Sequence, residues 1–267
     1  MKTQSKSQNK DIPVVIFCGG QGTRMKEETE FRPKPMVTIG GKPILWHIMK
    51  IYSHFGFNNF IIALGYKGDY IKNYFINEEY LAHDLTLNLK SGEKTVHRNS
   101  KKVHDDFNIT FVDTGQEVLT SERLLRVKKY IKSDILMVTY GDGVGAVNIE
   151  ELVNFHKSKK VIGVVTGVHP KSKWGLIESD KKGIIKRFQQ KPKLNQYVNG
   201  GFMVFNKKIF NYLKKKEMIE VALERMINKK ELAVYYHDGY WAAMDTYQDV
   251  EEMNAQWRKD PKWKVWH

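Results

Sequence analysis

Val14-Val15-Ile16-Phe17, followed closely by Gly19-Gly20, is the stretch on which the fold turns. A short run of β-branched and aromatic residues stopped by glycines reads as a buried strand. Immediately downstream the apolar period changes. Ile44, Leu45, Ile48, Ile51, Tyr52 and Phe55 recur at helical spacing behind Pro43, which suits a first helical turn. A strand over 60–64 and a short helix over 69–76 follow, then a strand over 109–112 and a helix marked by Leu124, Val127 and Ile131. The apolar run 135–140 predicts a strand ending at Gly141-Asp142-Gly143. Ile149, Leu152, Val153 and His156 share a helical face, and 161–168 returns as a strand.

Strands alternating with helices imply βαβ units, an α/β fold whose mainly parallel sheet is covered on both faces. After Pro170 the rhythm breaks. Residues 176–178, the turn Asp180-Lys181-Lys182-Gly183 and residues 184–188 predict a β-hairpin, a small β-rich insertion. A strand over 201–205, helices near 207–213 and 218–227, a strand over 232–236 and a closing helix over 247–257 complete the pattern. Residues 12–267 read as a single domain. Residues 1–11, polar and basic, read as a flexible N-terminal leader without the apolar core of a signal peptide.

Of the 267 residues, 41% are apolar and 12% aromatic, enough to bury a core, which excludes a disordered chain. No apolar run approaches the ~18–20 residues of a membrane span, so a cytoplasmic protein with no membrane partner is expected. The net charge of +14 raises nucleic acid as a partner. The lysines are spread along the whole chain, however, and no nucleic-acid-binding signature accompanies them. No nucleic acid partner is expected; a site for small polyanions would profit from the same field. Cys18 is the single cysteine, so no intramolecular disulfide and no cysteine metal cluster can form. At the end of a buried strand it reads as core. His47, His54, His156, His169 and His237 show no metal-ligand spacing and read as surface or packing residues.

Four segments carry residues suited to chemistry. Gly19-Gly20-Gln21-Gly22-Thr23-Arg24 follows the first strand. Glycines there let backbone N–H groups approach a phosphate, and the turn aims them as an anion nest. The dinucleotide fingerprint needs a glycine where Met25 stands, and no Walker-type Gly-Lys-Ser/Thr is present. Arg24, a fixed cation beside the glycines, sets this loop apart. In Arg32-Pro33-Lys34-Pro35-Met36, two prolines stiffen the backbone around Lys34, a compact cation suited to phosphate oxygens. Either element alone is commonplace; together, behind a buried strand, they predict a triphosphate site. Asp142, at the carboxyl end of a buried strand, can reach a divalent cation bound to phosphates, although Asp-Gly is also a common turn pair. Asp245 is a candidate second carboxylate, equally readable as the N-cap of the last helix. Nothing in spacing brings it near Asp142. In the fourth segment, Gln190-Lys191-Pro192 with Asn199-Gly200-Gly201, a lysine before proline could hold a phosphate and Asn199 could bond hydroxyls. On pattern alone it is a loop with a basic residue.

Taken in order, Gly19-Gly20-Gln21-Gly22-Thr23-Arg24, Arg32-Pro33-Lys34-Pro35-Met36-Val37 and Gly40-Gly41-Lys42-Pro43 resemble the opening of the sugar-phosphate nucleotidyltransferases. Within that family the chain is most similar to the glucose-1-phosphate cytidylyltransferases. Val112-Asp113-Thr114-Gly115, Tyr140-Gly141-Asp142-Gly143, Lys191-Pro192-Lys193, Asn199-Gly200-Gly201-Phe202 and Met244-Asp245-Thr246 continue the likeness in the family's order. The resemblance implies a Rossmann-like mixed sheet, with the late β-rich insertion on the acceptor side. It implies attack by an acceptor phosphate on the α-phosphorus of CTP, with pyrophosphate leaving. Carried over by position, Arg24 and Lys34 are the catalytic cations. Gly19, Gly20, Gly22 and Thr23 line the nucleotide, with Asp113 and Thr114 near the cytosine. Asp142 and Asp245 bind Mg²⁺, and Gly175, Gln190, Lys191, Asn199 and Gly200 meet the acceptor. A homo-oligomer is implied as well.

Three departures bear on the acceptor. Gln190 stands where the family usually has glutamate; Ser121-Glu122 precede Arg123-Leu124 where the cytidylyltransferases have a Gly-Gly pair; Trp174 precedes Gly175 where a smaller ring is common. Glucose 1-phosphate is the default acceptor, and the product a CDP-linked precursor of a surface polysaccharide. The alternatives keep CTP with another sugar phosphate, or with a non-sugar such as phosphoglutamine or another phosphoramidate. A thymidylyl- or uridylyltransferase fits the Pro-Lys-Pro-Met and Asp-Thr-Gly segments less well. A nucleotide-binding regulatory protein is the non-enzyme alternative.

Overall fold

The computed structural model describes residues 11–97 and 105–266, without the side chains of Arg24, Lys26, Glu27 and Glu79. The expected leader lies, Asp11 apart, outside the described residues. The chain begins with β1 (Val14–Cys18), a single turn α1 (Lys26–Thr29) and the ribbon of β2 (Thr38–Ile39) and β3 (Lys42–Pro43). Next come α2 (Ile44–His54), β4 (Asn59–Leu64), α3 (Gly68–Ile76), α4 (Glu78–Ala82) and the ribbon of β5 (Asp84–Leu87) and β6 (Lys94–His97). The middle of the chain forms β7 (Asn108–Asp113), α5 (Thr120–Val127), β8 (Ile135–Tyr140), β9 (Gly143–Gly145), α6 (Ile149–Lys159) and β10 (Gly163–Val168). The hairpin of β11 (Leu176–Ser179) and β12 (Ile185–Gln189) leads to β13 (Val198–Asn206), α7 (Ile219–Ile227), β14 (Leu232–His237), β15 (Trp241–Ala243) and α8 (Tyr247–Lys259).

Seven strands form the main sheet in the order β14-β10-β13-β8-β1-β4-β7. β1 lies inside it, parallel to both β4 and β8, and every residue of β1 is buried. Alternation along the strand divides these side chains between two cores. Val14, Ile16 and Cys18 meet α2, α6 and α8 on one face. Val15 and Phe17 meet α5 and α7 on the other. Burial, with Asp142 beside it, pushes the Cys18 thiol up, so it is core rather than nucleophile. His47 is likewise a packing residue, its Nε2 2.8 Å from the Ile39 carbonyl oxygen and its ring edge-on to Trp46 and Trp257.

The sheet is mixed at one place. β13 runs antiparallel to β10 and β8, while the remaining neighbours are parallel. A parallel neighbour needs a crossover connection. Between β10 and β13 the chain supplies only the hairpin, which leaves β10 at its carboxyl end and re-enters from there, so β13 runs back. After β1 the chain builds outward through β4 to β7, then returns to lay β8 on the other side of β1. This reversal is the topological switch point, and the crevice outside the strands' carboxyl ends at such a point is where ligands bind. Gly19-Gly20 leaves β1 and Gly141-Asp142 leaves β8 at that spot.

Candidate active site

The short pair β9–β15 builds the centre of the site. Gly143 pairs with Ala243, and the Met244 backbone N–H donates to the Asp142 carbonyl at 2.8 Å. Asp142 and Asp245, far apart in the chain, are thereby brought side by side. Between them stands Lys34, on the 3₁₀ turn Lys34–Met36 that follows Pro33. Its Nζ donates to Asp142 Oδ2 at 2.6 Å and to Asp245 Oδ1 at 3.0 Å. Lys173, on the loop entering the hairpin, donates to Asp245 Oδ2 at 3.0 Å. Burial opposes ionisation of Asp245, but the Lys34 and Lys173 ammonium groups outweigh it and hold the carboxyl down at about 2. The cap of α8 is Thr246, so Asp245 is left facing the crevice.

One cleft of about 410 Å³ opens above β1 and β8. Gly19, Gly20, Gly22, Thr23, Lys34 and Asp142 line one side of it, and Val118, Leu119, Thr120 and Met218 another. At Gly20 an added Cβ would meet open space, which leaves its backbone exposed to an occupant; Gly22 adopts φ +63°, the left-handed region a turn glycine favours. Arg24 contributes backbone to the Thr23–Met25 turn; its side chain lies outside the described residues. A second cleft of about 420 Å³ lies between the hairpin base and α8, and Lys171, Lys173 and Lys191 line it with Tyr240 and Trp241. Asp245 lines both clefts.

The chain matches the nucleotidyl transferase family over residues 13–260. It belongs to that family. The nucleotidyl transferase is 43% identical over 259 residues to the "Probable glucose-1-phosphate cytidylyltransferase" of Bacillus subtilis, covering 96% of this chain and 100% of that one. It is 40% identical over 260 residues to the glucose-1-phosphate cytidylyltransferase of Salmonella typhimurium, with the same coverage. Its fold is that of HddC from Yersinia pseudotuberculosis, with a TM-score of 0.65 at 23% identity over 92% of this chain and 99% of that one. The sheet is thus the Rossmann-like mixed sheet of the family's solved structures, with helices on both faces.

Several residues carried over by position lie outside both clefts. Thr114 is fully buried, its hydroxyl donating to the Leu64 carbonyl at 2.5 Å, and Asp113 Oδ1 accepts from the Gly115 N–H at 2.9 Å. Neither lines the cleft above β1 and β8. Gln190 is exposed and lies against Gly175, where an added Cβ would come within 3.1 Å of its Oε1. Asn199 Oδ1 accepts from the Gly201 N–H, and the Gly200 carbonyl accepts from Trp241 Nε1. Of the acceptor-side group, only Lys191 lines a cleft. Glu122 turns away from the nucleotide side: its carboxylate accepts from Arg126 Nη2 at 2.8 Å and from the Lys216 N–H at 3.3 Å. Trp174 is 75% exposed and walls neither cleft.

Sequence reasoning named Arg123 only as a neighbour of Ser121-Glu122 and gave it no role; it packs beside Leu124 on the buried side of α5. Its Nη1 donates to the carbonyls of Leu64 and Gly115 and to the Thr114 hydroxyl at 2.7–3.0 Å. Its Nη2 reaches the carbonyls of Gly19 and Gln116 at 3.0 and 3.1 Å. One guanidinium thus ties together the loops leaving β1, β4 and β7. The cues in the sequence are an arginine beside an apolar helical face and its place in the Arg123-Leu124 pair. Lys173, read only as one of many lysines, was likewise passed over.

Asp142 and Asp245 are a donor set suited to a hard divalent cation, because two carboxylate oxygens already converge on one ammonium. Among the described residues no group of three or more His, Cys, Asp or Glu side chains forms a cage. Mg²⁺ is commonly held by one or two carboxylates, with substrate phosphates and water completing its shell, so the pair fits that ion. No helix among the described residues is long and apolar enough to cross a membrane.

Proposed function

We propose that this nucleotidyl transferase moves a cytidylyl group from CTP to glucose 1-phosphate, giving CDP-glucose and pyrophosphate. An acceptor phosphate oxygen forms a bond to the α-phosphorus of CTP as the bond to the bridging oxygen breaks. The electron pair leaves with pyrophosphate, and the acceptor attacks as an ionised phosphate, so no proton transfer is required. Such transfers depend on alignment and charge stabilisation rather than covalent help. The glycine loop orients the triphosphate through backbone N–H groups, and Arg24 and Lys34 neutralise charge building on the leaving pyrophosphate. Asp142 and Asp245 would hold Mg²⁺, which would supply positive charge to offset that of the phosphates. Lys191, with Lys173, takes the acceptor phosphate. Residues 12–267 act as one domain in a cytoplasmic homo-oligomer, and the product feeds assembly of a surface polysaccharide such as capsule or lipopolysaccharide.

The observation that carries this reading is the convergence of Lys34, Asp142 and Asp245 at the switch point between two clefts. Nearly full-length relatives named as glucose-1-phosphate cytidylyltransferases support the choice of nucleotide and acceptor. One observation favours a second reading of the acceptor alone. Gln190, uncharged where the family usually has glutamate, is exposed and lines neither cleft. On that reading CTP is kept, and the acceptor is another sugar phosphate or a non-sugar such as phosphoglutamine. Pyrophosphate release from CTP and Mg²⁺ across a panel of phosphorylated acceptors separates the two. Saturable turnover on glucose 1-phosphate is expected. Turnover only on another member would replace the acceptor, and CTP binding without turnover on any member would favour a regulatory protein.

A further inference from the structure

Gly65-Tyr66-Lys67-Gly68 joins β4 to α3 and lies against the glycine loop. The Tyr66 N–H donates to the Gly19 carbonyl at 3.3 Å, and a Cβ added at Gly65 would come within 2.7 Å of Gly19 Cα. That contact fixes the loop where it leaves β1. Residues 20–33 then make an excursion before the chain reaches Lys34. Met25 plants the first turn of this excursion in the core, and the Glu28–Arg32 ion pair at 2.7 Å is internal to it. Its outer end is held from the other side. The Lys67 ammonium donates to the carbonyls of Glu30 and Thr29, the latter at 3.3 Å, and the Tyr66 hydroxyl donates to the Thr29 carbonyl at the same distance. A hollow of about 280 Å³, lined by Gln21, Thr23, Thr29, Glu30 and Tyr66, lies beneath, so the loop is tied there rather than packed.

The backbone of Lys67 is strained. It stands at the N-cap of α3 with φ +51° and ψ +36°, in the left-handed region that glycine enters freely and lysine does not. Lys160 adopts the same conformation where it ends α6, a common place for it, whereas Lys67 adopts it ahead of a helix. A residue kept in such a conformation is held by its surroundings, and the hydrogen bonds of the Lys67 side chain go to carbonyls of the loop. We propose that Lys67 is a positioning residue for the nucleotide. Its ammonium clasps the outer end of the loop, so that the N–H groups after Gly19 and the Thr23–Met25 turn are set in place before the triphosphate arrives. The proposal rests on the placing of the triphosphate in the reading above. It adds to that reading a residue that lines neither cleft and acts through the loop alone.

The test compares the full-length wild type with Lys67→Met, Lys67→Gly and Lys67→Arg. Each is titrated with CTP and with CMP, which lacks the β- and γ-phosphates. Initial rates on the acceptor panel and melting temperatures are measured alongside. Lys67→Met removes the ammonium and keeps the backbone strain; Lys67→Gly removes both. Loss of the charge-assisted hydrogen bonds is expected to raise Kd and KM for CTP about tenfold in both variants. Kd for CMP and KM for the acceptor are expected to stay within about twofold. Lys67→Arg should return CTP affinity to within about threefold of the wild type, since a guanidinium can donate to the same carbonyls. Lys67→Gly should melt no lower than Lys67→Met, because glycine relieves the strain. CTP affinity unchanged in Lys67→Met and Lys67→Gly overturns the clasp. A parallel fall in CTP and CMP affinity also overturns it, since a general loosening of the fold weakens both. A wild type that binds CTP but turns over no acceptor overturns the functional reading alone, because the comparison of CTP with CMP still decides the clasp. A wild type that binds no CTP overturns both.

Discussion

Asp245 is held ionised by the two lysines that must share it with other cations once a triphosphate arrives. Because its folded-state pKa of about 2 lies below the ordinary 3.8, the unfolded chain takes up a proton between those values that the folded chain refuses. The cluster's contribution to stability is therefore fully present above about pH 4 and lost as pH falls toward 2. Acid unfolding followed by circular dichroism should show a shallower loss of stability over that window in Asp245→Asn than in the wild type. On the proposed function, Arg24, Lys34 and the Asp142–Asp245 pair act on charge developing in the transition state. Removal of one such group typically costs roughly 3–4 kcal/mol. Arg24→Ala and Asp142→Asn are thus expected to slow kcat by about two to three powers of ten, with the melting temperature little changed. Near-normal steady-state rates in either variant would remove that residue from the mechanism. Lys34, between two prolines, was legible in the sequence because proline acts on its own neighbours. Its partners were not, because an ion pair depends on which distant loops arrive beside it.

Two small elements hold this arrangement together. α8 starts with a capping box in which the Thr246 hydroxyl accepts from the Asp249 N–H and Asp249 returns the contact. Thr246→Ala should cost about 1 kcal/mol, lowering the melting temperature by about 2–4 °C. It should also raise acceptor KM, since the cap adjoins Asp245 and the face of α8 that walls the second cleft. The Arg123 guanidinium on α5 joins the loops after β1, β4 and β7 through four backbone carbonyls and the Thr114 hydroxyl. Arg123→Met removes the donor to the Gly115 and Gln116 carbonyls, while the Leu64 and Gly19 carbonyls keep backbone N–H partners, and is expected to destabilise by on the order of 1–3 kcal/mol. CTP affinity should fall with it, because Gly19 begins the glycine loop. Arg123→Lys should rescue little, as one ammonium cannot span the fork. Urea unfolding and CTP titration of both variants check this.

On the scale of the molecule, two clefts of similar volume meet at one carboxylate. Both substrates can be seated at once, so the acceptor can attack the nucleotide directly without a cytidylyl-enzyme. Initial-rate lines at varied CTP and acceptor should intersect, and labelled pyrophosphate should exchange into CTP only when the acceptor or product is present. Parallel lines, or exchange with CTP alone, would require a covalent intermediate. The net charge of +14 suits this use, since both substrates are polyanions drawn by the same field.

Much of the fold was determined by sequence alone. The strand after Pro13, the helix over 44–54, the hairpin and the closing helix follow from apolar period, proline and glycine, whose effects are local to a few residues. The glycine loop behind β1 was legible for the same reason. The reversed direction of β13, the β9–β15 pairing that seats Asp245 beside Asp142, the outward turn of Glu122 and the reach of Arg123 were not. Each joins segments remote in the chain, and no local rule of backbone or side-chain preference specifies which remote partners will meet. Only the assembled sheet, with its switch point between β1 and β8, brought those residues within hydrogen-bonding distance.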